Sequence, residues 1–171
     1  IGMTDKTALL VLVAHGLESS PQGSKARLFA EHFTALTPAM NTRDFESCVA
    51  VHAKAVSEFR PDVVVGSSFG GAVVVALLMR GLWRGPTLLL AQAAYHYDPN
   101  AKLPENVPVT LVHAVQDDVV AVEESRRLAS TGSPACTKLI ERDDDHALTA
   151  LVESGELIAL TREAAAHRCA S

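Results

Sequence analysis

Apolar runs of strand length alternate along this chain with stretches whose apolar positions recur every three or four residues. The runs fall at 8–14, 39–40, 63–67, 87–91, 109–114 and 137–141, and they are rich in Val and Leu with little polar alternation. Strands that read this way are buried on both faces, which is the habit of a parallel sheet covered by helices on each side. Between them the spacing predicts helices over 24–36, 45–59, 69–82, 122–130 and 147–167. Asp44 stands where a carboxylate accepts from the free amides at the start of the second of these. Strand following helix in this order predicts an α/β fold, a doubly wound and mostly parallel sheet of about six strands with helices on both faces.

The least regular stretch is 92–108, which contains Tyr95, Tyr97, Pro99 and Pro104. It reads as a surface loop with at most one helical turn, too short to form a cap domain over the sheet edge. No internal repeat or low-complexity segment interrupts the pattern, so residues 3–171 are expected to form a single domain, with Ile1-Gly2 read as an expression remnant.

One segment carries more than architecture. Asp62-Val63-Val64-Val65-Gly66-Ser67-Ser68-Phe69-Gly70-Gly71 is an apolar strand running into Gly-x-Ser-x-Gly and then into a helix-like stretch. A serine at that spacing sits on a tight strand-to-helix turn that pushes its Oγ into the open. Side chains two residues before and two after it would collide, which explains Gly66 and Gly70. The helix that follows offers free N–H groups and a positive dipole end where an oxyanion would develop. Ser68 therefore reads as a nucleophile.

Composition narrows the class. The chain has 171 residues, 48% of them hydrophobic, and a net charge of −5 without a run of Lys or Arg. That balance argues against nucleic acid or an anionic membrane as the main partner. Apolar runs are broken within about 18 residues, short of a membrane span. Cys48, Cys136 and Cys169 are an odd, widely spaced set without metal-ligand spacing, read as reduced thiols in a cytoplasmic protein.

Ligands of open α/β sheets bind beyond the carboxyl ends of the strands. At those ends stand His15-Gly16-Leu17, Ser68, Gln116-Asp117-Asp118 and Asp143-Asp144-Asp145-His146. Nucleophile, acid and histidine thus follow one another as Ser, Asp, His at separate strand ends, the order found in α/β-hydrolases. Asp118 is the rival of Asp117 for the acid, and one of Asp143, Asp144 and Asp145 could substitute for it.

The chain resembles a compact member of the α/β-hydrolase superfamily over nearly its whole length. His15-Gly16-Leu17-Glu18-Ser19-Ser20-Pro21, followed by a helix with Lys25, and Gly66-Ser67-Ser68-Phe69-Gly70-Gly71 are similar to small bacterial esterases of the YqiA-like group. His113-Ala114-Val115-Gln116-Asp117-Asp118-Val119-Val120 matches the superfamily's acid loop, usually His-Gly-x-x-Asp-x-x-Val, with Ala114 in place of glycine and Ala121 where proline is frequent. The resemblance implies Ser68 as nucleophile, His146 as general base and acid, and Asp117 as the group that orients the imidazole. It implies an oxyanion hole from the backbone N–H groups of Leu17 and Phe69, with Gly16 letting the loop turn inward.

The expected activity is serine hydrolysis of carboxylic esters or thioesters of small or exposed acyl groups through an acyl-enzyme, without cofactor or metal. The expected partner is a small-molecule ester or thioester substrate, with no nucleic acid and no membrane. Leu17, Phe69, Tyr95 and Tyr97 are candidate pocket walls, and His96 is the further histidine placed to line the site, while His15 contributes its backbone to the oxyanion loop. His32, His52 and His167 read as surface or boundary residues of helices, and His113 as locally hydrogen-bonded. A competing class is an idle α/β-hydrolase scaffold used as a binding module, which a serine-directed fluorophosphonate would distinguish by failing to label.

Overall fold

The computed structural model describes residues 8–17 and 19–171; the Ile1-Gly2 reading falls outside them. Six parallel strands form one sheet: β1 (Leu10–Ala14), β2 (Thr34–Leu36), β3 (Val63–Ser67), β4 (Thr87–Leu90), β5 (Val109–Ala114) and β6 (Thr137–Arg142), in the order β2-β1-β3-β4-β5-β6. Helices α1 (Ser24–His32), α2 (Phe45–Phe59), α3 (Phe69–Met79), α4 (Val122–Ser130), α5 (Thr149–Ser154) and α6 (Glu156–Ala166) cover it.

Alternation along the strands sorts the two faces. Val11, Val13, Val63, Val65, Leu88 and Leu90 point to one side, where they bury Phe29 of α1 and Leu157, Leu160 and Ala164 of α6. Leu12, Val64, Leu89 and Leu111 point to the other, against Ala55 of α2, Val74 and Leu78 of α3, and Leu128 of α4. Both sets are fully buried, so no strand of the sheet's centre needs a polar face, and each such Val or Leu contributes about 1.5–3 kcal/mol.

Three elements differ from the sequence pattern. The first helix ends at His32 rather than continuing to 36, and Thr34–Leu36 forms the edge strand expected at 39–40. Pairing decides this: Thr34, Ala35 and Leu36 lie opposite Leu10, Val11 and Leu12, and the Thr34 N–H donates to the Leu9 carbonyl at 2.9 Å. The last helix is two, broken at Gly155, whose φ of 82° is left-handed. The stretch 92–108 holds a single 3₁₀ turn, Ala94–His96. Asp44 caps α2 as its position suggested, accepting from the Ser47 N–H at 3.1 Å.

Cysteine pairing also differs. Cys136 and Cys169 form a disulfide, and Cys48 alone is free and buried. The C-terminal tail folds back beside the start of β6, where the Ala170 N–H donates to the Ala135 carbonyl at 2.8 Å, so residues 33 apart in sequence meet. Spacing could not reveal that contact. The pairing removes the support that three free thiols gave to a cytoplasmic location. Among the described residues no helix is long and apolar enough to cross a membrane.

The strand order reverses between β1 and β3. From β1 the chain moves outward to β2, and from β3 it moves the other way through β4, β5 and β6. Loops leaving neighbouring strands in opposite directions part from each other and open a crevice at the carboxyl edge. His15-Gly16-Leu17 leaves β1 and Ser68 leaves β3, so both border it.

Candidate active site

Ser68 links β3 to α3 with φ 55° and ψ −114°, a conformation that costs a non-glycine residue on the order of 1–3 kcal/mol. The surroundings hold it there. Its N–H donates to the Leu90 carbonyl at 2.9 Å, and its carbonyl accepts from Gly71 at 2.9 Å and Ala93 at 3.1 Å. A Cβ at Gly66 would stand 2.7 Å from the Gly70 carbonyl oxygen, and one at Gly70 would overlap the Ala14 carbonyl. The two glycines of the motif therefore make room for the elbow on both its sides.

The other two chemical groups arrive from the far half of the sheet. β5 delivers the loop with Asp117, and β6 the loop with His146. Ser68 Oγ lies 3.0 Å from His146 Nε2, and His146 Nδ1 lies 2.7 Å from Asp117 Oδ2. A carboxylate can only accept, so Nδ1 carries the ring proton and Nε2 presents its lone pair to the serine hydroxyl. The Asp117 side chain is wholly buried, and its Oδ1 accepts from the backbone N–H groups of Val119 at 2.9 Å and Val120 at 2.8 Å.

The rivals for the acid are elsewhere. Asp118 and Asp143 are exposed. Asp144 accepts from Ala150 and Leu151, and Asp145 from Thr149, so these carboxylates cap α5. The Thr149 N–H and hydroxyl hold the Asp145 carboxyl below the usual carboxylate range. Burial pushes the Lys25 ammonium down, with Asp145 and Asp144 acting the other way.

On the opposite side, Gly16 lies against the serine: a Cβ there would stand 3.4 Å from Ser68 Cβ. Phe69 opens α3, so its N–H has no acceptor within the helix. Leu17 follows Gly16, and its side chain is 52% exposed. The His15 ring is buried instead of facing the site, with Nδ1–H donating to the Gly16 carbonyl at 2.8 Å.

The expected wall residues divide. Phe69 is buried in an aromatic cluster, edge-on to Tyr97 at 5.1 Å and to Phe45 at 5.9 Å, and Tyr97 stacks on Phe45. Tyr95 and His96, expected to border the substrate, are engaged by α4 instead. The Arg127 guanidinium lies 3.9 Å above the Tyr95 ring, and His96 Nε2 is 3.2 Å from Glu124. The cause is the 3₁₀ turn, which sends neighbouring side chains in different directions and leaves Tyr97, not Tyr95 or His96, against Phe69 of α3. Behind the cluster, a cavity of about 360 Å³ runs along α3 between Phe45, Val75, Met79 and Arg80; Ser68, Asp117 and His146 do not line it.

Three buried polar residues escaped the sequence reading. His52 is fully buried on α2 rather than at a boundary, with Nδ1–H donating to the Cys48 carbonyl at 2.8 Å, and burial pushes its pKa down. Gln92 and Ser125 are also fully buried, and they bond to each other at 3.1 Å. A Gln directly after a strand end was the available sign of the latter pair.

No protein-family model matches the chain, and no curated protein matches it. Solved structures do. A protein of the alpha/beta hydrolase superfamily from Xanthomonas campestris pv. campestris is 23% identical with a TM-score of 0.69, covering 92% of this chain and 96% of its own. Est1E from Butyrivibrio proteoclasticus is 17% identical with a TM-score of 0.68, covering 92% and 86%. The esterase domain of a Rhodothermus marinus protein is 14% identical with a TM-score of 0.67, covering 93% and 87%. Parallel sheet, strand order and these neighbours agree: the chain has the α/β-hydrolase fold.

Proposed function

We propose that this protein is a serine hydrolase that cleaves carboxylic esters or thioesters of small or exposed acyl groups. The observation that carries the reading is the continuous hydrogen-bonded line from Ser68 Oγ through His146 to Asp117, with distances of 3.0 and 2.7 Å. Names among the structural neighbours, an esterase domain and Est1E, support it.

In this reading His146 Nε2 takes the Ser68 proton as Oγ attacks the substrate carbonyl, and Asp117 stabilises the imidazolium. The tetrahedral oxyanion accepts from the N–H groups of Phe69 and Leu17, each worth on the order of 3 kcal/mol in the transition state. His146 returns the proton to the departing alcohol or thiol, leaving an ester on Ser68. Water, deprotonated by the same imidazole, then releases the acid and restores the hydroxyl.

The rim suits exposed acyl groups. Only one short turn lies between β4 and β5, and Leu17, next to Gly16, and Val115 and Val119, in the loop that carries Asp117, are exposed apolar residues at 52%, 44% and 59%. Hydrolysis of p-nitrophenyl acetate through octanoate by wild type and Ser68→Ala tests the reading. Activity lost with Ser68 and strongest on the shorter esters is expected. A folded wild type that neither turns over esters nor reacts with a fluorophosphonate would instead be a binding scaffold.

A further inference from the structure

Asp117 is shared by two histidines. His113, the last residue but one of β5, is fully buried, and its Nε2 stands 3.2 Å from Asp117 Oδ2, the same oxygen that accepts from His146 Nδ1 at 2.7 Å. The ring proton of His113 must sit on Nε2. That nitrogen faces two acceptors, the Val120 carbonyl at 2.7 Å and the Asp117 carboxylate, and a lone pair there would repel both.

The other end of the ring enforces the same tautomer. Nδ1 lies 2.6 Å from the Ser125 hydroxyl on α4. Ser125 Oγ accepts from Gln92 Nε2 at 3.1 Å, so its own proton is free to go to Nδ1. Gln92 is oriented in turn, because its Oε1 accepts from the Ala94 N–H at 2.8 Å and only Nε2 is left to face Ser125. Every side chain in the line is fully buried, where a misdirected proton costs about 1–3 kcal/mol.

The line reaches back to the elbow. A Cβ at Gly71 would stand 2.6 Å from the Gln92 Cβ, so the glycine after Gly-x-Ser-x-Gly makes room for the first member of the relay. We propose that Gln92, Ser125 and His113 form a buried positioning relay that fixes the tautomer of His113 and, through it, locks the Asp117 carboxylate in the orientation that holds His146. The Val119 and Val120 amides donate to Oδ1 and His146 Nδ1–H to Oδ2, while His113 Nε2–H, which donates to the Val120 carbonyl, stands against Oδ2 at 3.2 Å as a fourth positive neighbour. The carboxylate cannot turn about its own axis without losing two of these contacts. His113 is thus a positioning residue: it touches no substrate and acts only through Asp117.

The inference rests on the serine-hydrolase reading for its consequence in rate, but not for its structural content. ¹⁵N-NMR of the wild-type imidazoles is the first measurement, and a neutral His113 ring protonated at Nε2 is expected. A neutral ring protonated at Nδ1 overturns the relay whatever the protein catalyses. Ser125→Ala and Gln92→Leu are then compared with wild type for fluorophosphonate labelling of Ser68 and for the downfield Nδ1–H resonance of His146. Labelling slower by about 10- to 100-fold, with that resonance displaced and the thermal midpoint retained, supports the relay. Folded variants that label at the wild-type rate with the resonance unmoved overturn it. A wild type that does not label at all refutes the hydrolase reading, and the tautomer measurement still decides the relay.

Discussion

Replacing Asp117 by asparagine changes one atom and nearly nothing in volume, which makes it a sharp test of the site. The amide oxygen has a forced choice. Two backbone donors, Val119 and Val120 at 2.9 and 2.8 Å, claim the Oδ1 position, so the NH₂ group takes the place of Oδ2. There it faces His146 Nδ1–H and His113 Nε2–H, donor against donor. His146 escapes by moving its proton to Nε2, and that N–H then points at Ser68 Oγ 3.0 Å away. A nitrogen that donates to the serine cannot take its proton. The loss expected from a wrong tautomer in such a triad is about 10⁴-fold in kcat, or roughly 5 kcal/mol of transition-state stabilisation. The assay is kcat for p-nitrophenyl acetate at neutral pH, with Asp118→Asn as the control that removes an exposed charge beside it. Asp118→Asn should stay within about threefold of wild type, as befits an exposed charge. If Asp117→Asn kept a tenth of the activity while Asp118→Asn lost most of it, the assignment of the acid would be wrong.

Two further outcomes test the core and the tail. His52 is buried with its pKa lowered by desolvation, so the unfolded chain binds a proton more readily than the native one. Stability is then full above the unfolded value near 6.5 and falls as pH drops below it toward the folded value. Since its Nε2 has no partner among the described residues, His52→Leu should flatten urea-unfolding free energy between about pH 5 and 7; a slope equal to wild type would refute this. The Cys136–Cys169 bond closes a loop of 33 residues, for which loop entropy predicts about 4 kcal/mol. Denatured, unreduced protein should show one titratable thiol, and Cys169→Ser should unfold at lower urea; three thiols would show that the bond does not form.

The central strands were legible because burial on both faces makes them rich in Val and Leu, and Val63–Ser67 and Val109–Ala114 keep their expected limits. Edge and terminal elements were not. Thr34-Ala35-Leu36 continues a helical pattern as readily as it begins a strand, and only its partner β1, far away in sequence, decides. The break at Gly155 interrupts a pattern that stays apolar on one face through both α5 and α6. In the site, residues that belong to a motif could be read: Ser68, Asp117 and His146 stand at strand ends in an informative order, and the structure brings them together. Those whose direction depends on a turn could not, which is why Tyr95 and His96 face α4. Gln92 and Ser125 belong to no motif, and their meeting across 33 residues is a property of the packed sheet.

The three side chains of the proposed triad hang from the loops after β3, β5 and β6, and β6 is an outermost strand. Ser68 and His146 are 78 residues apart, and His146 and Asp117 are 29 apart. No fragment ending before β6 contains the whole set, and parallel pairing of distant strands is slow because chain closure precedes its reward. With Ser68 as the proposed nucleophile, serine reactivity during refolding from urea is expected to appear only when the last edge has docked. A fluorophosphonate added at successive times would act as a clock on that single event, reporting the arrival of β6 rather than the collapse that precedes it.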